Sequence, residues 1–147
     1  MKIDLSDINF ETSDKMRYDT PGDWSNYTIT AWNGLAKANP DFITAVQLHE
    51  FNESVICRAA GITPKVIDTI DNYKQAIRDF AAGAIDTEEL LLLAKEYMDV
   101  PYWIIEIYEQ AHELSLLVER AFIEAAGHDW KKYNDYIEST RGRIPHE

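Results

Sequence analysis

Two histidines and two glutamates fall where helical periodicity would place apolar side chains. On a wheel of about 100° per residue, Phe42, Ala45, Val46, Ile56, Ala59 and Ala60 form one apolar arc. His49 and Glu53 lie inside it, one turn apart, with Glu50 at its edge. Further along, Ile104, Ile105, Tyr108, Ala111, Leu116, Phe122 and Ile123 form a second arc, which holds His112 and Glu119 two turns apart. A buried carboxylate without a partner shifts its pKa or costs several kcal/mol. Each of these groups must therefore meet another charge, a donor or a metal. If the two helices pack antiparallel, both pairs reach one interface. Two imidazoles and two carboxylates converging in a bundle core suit a divalent metal. The alternative is a hydrogen-bonded His–Glu network that only fixes helix register.

The expected ligands are His49, Glu53 and His112, with Glu119 and Asp71 as further ligands or supports. Glu50, at the rim, is the candidate base for a metal-bound water. Two imidazoles favour zinc, manganese or iron over magnesium, which prefers oxygen. Asp71 lies at the edge of a third apolar face, made by Ile67, Ile70, Tyr73, Ile77 and Phe80, and Asp68 points further out. Cys57 reads as packing.

Composition sets the frame. The chain has 147 residues and 46% hydrophobic content, enough for one domain with its own core. The single cysteine excludes an internal disulfide, and residues 1–14 have no apolar core of signal-peptide length, so a cytoplasmic protein is expected. The formal charge of −12 speaks against nucleic-acid and anionic-membrane partners. It leaves a small phosphorylated ligand or a host protein as expected partners. Oligomeric state is not legible.

The elements that must position these residues divide the chain. Residues 1–38 read as β-rich: Thr20-Pro21-Gly22-Asp23 is a turn signal, Tyr27–Trp32 alternates like a strand, and Asn33-Gly34 reads as the next turn. Residues 39–138 read as helical, with segments at about 41–60, 64–81, 87–97, 101–126 and 130–137, punctuated by Gly61, Gly83 and Gly127. Asn39, Thr63, Asp86 and Asp129 stand as N-caps. Residues 139–147 read as a loose tail. The predicted class is α+β, predominantly α, a bundle of four to five helices with a short N-terminal antiparallel hairpin. Tyr18, Trp24, Tyr27 and Trp32 would cap the bundle or wall the polar site.

Motifs carry three resemblances. His49-Glu50-x-x-Glu53 resembles the start of a zincin helix but has glutamate where the second histidine belongs. Glu50-x-x-Glu53 with Asp68-x-x-Asp71 is similar to the paired-acid signature of the all-α nucleoside triphosphate pyrophosphohydrolases. That likeness implies magnesium held between helices and cleavage between the α and β phosphates. Asp68 departs from it by replacing a glutamate, and the lysine-rich context is missing. Most of the chain resembles a family of small phage and prophage proteins, through Arg17-Tyr18-Asp19-Thr20-Pro21-Gly22-Asp23-Trp24, Leu48-His49-Glu50 to Glu53, Cys57, Gly61-Ile62, Ile67-Asp68-x-x-Asp71, Pro101-Tyr102, His112, Glu119, Asp129-Trp130 and Tyr133. Residues 81–100 depart from that pattern, with a helix where it has a Gly-Pro-Asp loop. This resemblance implies a phage accessory protein and no mechanism. Two functions are therefore expected: a metal-dependent hydrolase of a phosphorylated small molecule or nucleotide, or a non-catalytic acidic protein that inhibits a host protein.

Overall fold

The computed structural model describes residues 4–147. Three strands, β1 (Asn9–Ser13), β2 (Gly22–Ser25) and β3 (Thr28–Trp32), form one sheet in the order β1-β3-β2. The expected antiparallel hairpin is present as β2–β3, with Trp24 opposite Ile29. Its turn contains Asn26, which takes a positive φ of 56, a conformation asparagine tolerates better than most residues. β1 adds to the other edge of β3 in parallel. Thr20-Pro21 leads into β2 rather than forming a hairpin turn, and Asn33-Gly34 opens a 3-10 helix over Asn33–Lys37.

Five helices follow: α1 (Pro40–Ala59), α2 (Pro64–Ala81), α3 (Thr87–Met98), α4 (Tyr102–Ala125) and α5 (Trp130–Thr140). Local chemistry sets their ends. Asn39 accepts from the Asp41 N–H at 2.9 Å, Asp86 from Glu89 at 2.9 Å and Asp129 from Lys132 at 2.9 Å. Each such cap contributes about 1 kcal/mol. Thr63 stands at the N-cap of α2 without a side-chain bond, where Pro64 sets the first turn instead. α1 stops where Gly61 turns left-handed at φ 78, and the Ile62 N–H returns to the Cys57 carbonyl at 3.0 Å.

The main core gathers Trp24 and Ile29 of the sheet, Cys57 of α1, Ile67 and Ile70 of α2, and Ile104, Tyr108 and Ala111 of α4. α1 and α4 run antiparallel, since residues 49, 52 and 53 meet 119, 115 and 112. α3 contributes no buried residue and leaves Leu91 and Leu92 exposed.

The tail differs from its expected looseness. α5 continues to Thr140, Ile144 is buried, and Met16 bridges to His146. Gly142, at φ 79, donates its N–H to Asp19 at 2.5 Å. A chain of polar residues has no apolar period to announce this docking. One isoleucine and a few backbone bonds accomplish it.

Candidate metal centre

The α1–α4 seam brings the two His–Glu pairs together. The Nε2 of His49, the Nδ1 of His112 and the Oε2 of Glu53 form a small triangle. Its sides are 3.2 Å between the imidazoles, 3.2 Å from His112 to Glu53 and 3.6 Å from His49 to Glu53. Ligand atoms set tetrahedrally around zinc at its usual bond length stand about 3.3 Å apart. His49, Glu53 and His112 could therefore hold a metal ion with little movement.

Behind this triangle, His49 and Glu53 have further partners. His49 Nδ1 lies 2.7 Å from Glu119 Oε2. The Tyr133 hydroxyl donates to the other oxygen of Glu119. Trp24 Nε1 donates to Glu53 Oε1 at 3.0 Å, leaving Oε2 for the triangle. Asn52 of α1 donates to Ser115 of α4 at 3.0 Å and locks the same seam. Glu119 thus does not join the triangle. It orients the His49 ring from behind, as carboxylates commonly do for metal-bound histidines.

Three of the four expected core positions, His49, Glu53 and Glu119, are buried. His112 departs from expectation: its side chain is 46% exposed. It sits where the apolar arc of α4 opens onto a cavity of about 350 Å³ that the triangle helps to line. Glu50 and Asp71 line the same cavity. The Glu50 side chain makes no hydrogen bond among the described residues. Its carboxylate lies against Gly22 of β2, where an added Cβ would stand 2.6 Å from Glu50 Oε1 and 2.5 Å from Val46 Cγ1. Gly22 is thus required by close approach. Asp71 accepts from the Tyr108 hydroxyl at 2.7 Å and stands apart from the triangle. The expectation that Asp71 ligates the metal finds a cavity-wall acid instead. Asp68 is drawn away to Arg17 at 3.1 Å, and Arg17 also clamps Asp23 at 2.6 and 3.0 Å. Three of the four acids of the paired-acid pattern, Glu50, Glu53 and Asp71, therefore line the cavity, and Asp68 does not.

The charges follow from burial and contacts. Burial alone would lower the His49 pKa, but the hydrogen bond to Glu119 and the Glu53 carboxylate 3.6 Å away outweigh it and raise it to about 10. Burial likewise opposes ionisation of Glu53, yet His112, His49 and Trp24 bring its carboxyl down to about 2. Glu50 goes the other way, well above the ordinary range, through burial and the neighbouring Glu53 charge. Burial pushes Asp71 up to about 7 against the Tyr108 hydrogen bond. One face of the cavity therefore holds ionised, donor-matched groups, and beside them stand two acids poised to take up protons.

Sequence reasoning did not assign roles to Gly22, to Tyr133 behind Glu119, or to the cations on the cavity wall, Lys74, Arg78 and Arg141. From the sequence, Trp24 is expected only to cap the bundle or to wall the polar site. Its indole N–H is the specific contribution.

No helix among the described residues is long and apolar enough to cross a membrane. The chain matches no protein-family model, no curated protein and no solved structure, so none of the resemblances raised by its motifs gains support.

Proposed function

We propose that this protein is a metal-dependent hydrolase acting on a small phosphorylated molecule. The triangle of His49 Nε2, His112 Nδ1 and Glu53 Oε2, with sides matching a tetrahedral metal site, carries the reading. Its two nitrogens favour zinc, manganese or iron. A fourth position on the cavity side would take water, whose pKa a bound metal lowers towards neutrality. Glu50, without a hydrogen-bond partner on the cavity wall, is the base that would accept the water's proton. Its raised pKa leaves it basic enough for that role, and a nearby cation would draw it down to the ionised form. The alternative, a non-catalytic acidic inhibitor of a host protein, calls for a closed and dry His–Glu network. The cavity and the half-exposed His112 favour catalysis.

Elemental analysis of protein purified without chelator tests the reading. About one transition-metal ion per chain is expected, together with hydrolysis of members of a phosphate-ester panel. In Glu50→Gln the metal content should stay and turnover should fall by about 10²–10⁴, the usual contribution of a general base. Metal-free protein that shows no thermal shift with any of these ions would overturn the proposal.

A further inference from the structure

The cavity has a cationic wall that the metal chemistry does not use. Arg78, on the last turn of α2, and Arg141, just beyond α5, both line it. Arg78 donates through Nη2 to Gln75 at 2.7 Å, while its Nε is buried with no acceptor among the described residues. The guanidinium of Arg141 stands near enough to depress the Arg78 pKa, after the larger effect of burial. Among the described residues, Arg141 is held only by Glu138, at 3.4 Å, and is half exposed.

Two adjacent like charges are unfavourable unless an anion lies between them. Glu138 pairs with Arg141, and the acids that attract Arg78, among them Asp19, Asp79 and Asp71, make no hydrogen bond to it. Asp79 accepts from Gln75 at 2.9 Å, and Asp19 Oδ2 takes the Gly142 N–H. Asp19 Oδ1 is buried without a donor and attracts Arg78 electrostatically, but no hydrogen bond joins them. Lys74, the third cation of this wall, is neutralised by Glu109 at 2.9 Å. The docked tail places Arg141 here: the Gly142–Asp19 bond, buried Ile144 and the Met16–His146 bridge fix the residues that follow it.

We propose that Arg78 and Arg141 form an anion subsite that holds a phosphate group of the substrate as its handle, while hydrolysis takes place at the metal triangle. This rests on the hydrolase reading for its catalytic meaning. Guanidinium groups suit phosphate because they present paired N–H donors in a planar fork. A cavity of about 350 Å³ lies at the small end of ligand pockets and selects a compact molecule.

The test uses the full chain stripped of metal, titrated with inorganic phosphate at low salt and followed by the arginine Nε–H resonances in NMR. Saturable shifts of the Arg78 signal are expected, with acetate at equal ionic strength giving none. Arg78→Lys and Arg141→Gln should each weaken phosphate binding at least tenfold. Arg141→Gln, at a half-exposed position, should leave the thermal midpoint near that of the wild type. Absence of saturable phosphate binding would overturn the subsite. So would a lowered midpoint in Arg78→Lys with phosphate affinity unchanged in both variants, which would make Arg78 a structural partner of Asp19. Because metal is absent throughout, phosphate binding supports the subsite even if the protein proves unable to hydrolyse anything. Metal-dependent turnover without phosphate binding would leave the hydrolase and remove the subsite.

Discussion

The two walls of the cavity are built on opposite principles. On the α1–α4 wall the His–Glu network is saturated, with unpartnered Glu50 beside it: Glu53 takes bonds from Trp24 and His112, and Glu119 takes them from Tyr133 and His49. The wall made by α2 and the residues after α5 is unsaturated, with a buried Arg78 Nε that lacks a partner among the described residues. A saturated polar network in a core gives rigidity and fixed geometry. Unsatisfied buried groups are costly and indicate where another molecule belongs. In the proposed reading, one wall would hold an ion still and the other would take a molecule that arrives and leaves.

Breaking the saturated wall should have the largest effect. Glu53→Gln removes the charged corner of the triangle, and metal affinity should fall by more than about 100-fold, beyond the range for supporting residues. Competition with a chromophoric chelator measures it. An unchanged affinity would remove Glu53 from the site. Glu119→Gln acts one step back. It should weaken metal binding by about 10–100-fold in the same assay, with Tyr133→Phe smaller and in the same direction. If Glu119→Gln matched Glu53→Gln, Glu119 would be a ligand itself.

Proton competition sharpens the comparison further. The His49 pKa is raised, so its contribution to the stability of metal-free protein is complete below 6.5 and is lost as pH climbs through about 10. The Glu53 pKa is depressed, so its contribution is complete above 4.5 and is lost as pH falls through about 2. Asp71, raised from 3.8 to about 7, and Glu50, raised above 4.5, each cost stability as pH climbs from the acid side towards neutrality. Metal-free protein should therefore melt highest near pH 4.5, at the acid end of the window from 4.5 to 6.5. Metal affinity should instead climb by up to about tenfold per pH unit above that window, because the metal displaces the His49 proton. A pH-independent metal affinity would contradict a protonated His49.

The smallest effect belongs to Gly22. In Gly22→Ala the new Cβ meets Glu50 Oε1 and Val46 Cγ1, and relieving that contact should cost about 1–3 kcal/mol. The flexible carboxylate is the part that can yield. Turnover should therefore drop while metal content stays. A loss of metal with turnover per bound ion preserved would show that Glu50 is not the group displaced.

The sequence exposed the saturated wall because its residues violate a periodic pattern. His49, Glu53 and Glu119 interrupt apolar arcs, and α1 and α4 are long helices with clear caps. The parallel pairing of β1 was not legible, since Asn9–Ser13 is largely exposed and carries little alternation. Nor was the cationic wall. Arg78 and Arg141 occupy positions where arginine is ordinary, and only tertiary docking of the tail brings them to one cavity. Asp71 shows a subtler limit: spacing placed it near the ligands, but its short side chain meets Tyr108 first.

The matched hydrogen bonds around the triangle also bear on how the protein is assembled. In a zinc finger, metal binding and folding are one event, because nothing else holds the ligands together. Here Trp24, Tyr133 and Glu119 hold the side chains in place through bonds that need no ion, and Asn52 with Ser115 ties the helices beneath them. Folding can therefore precede loading. Chelation should return a folded chain with unchanged helical circular dichroism, and added metal should restore the occupied site without a refolding step. Supply and withdrawal of the ion would then act as a reversible control on a finished molecule.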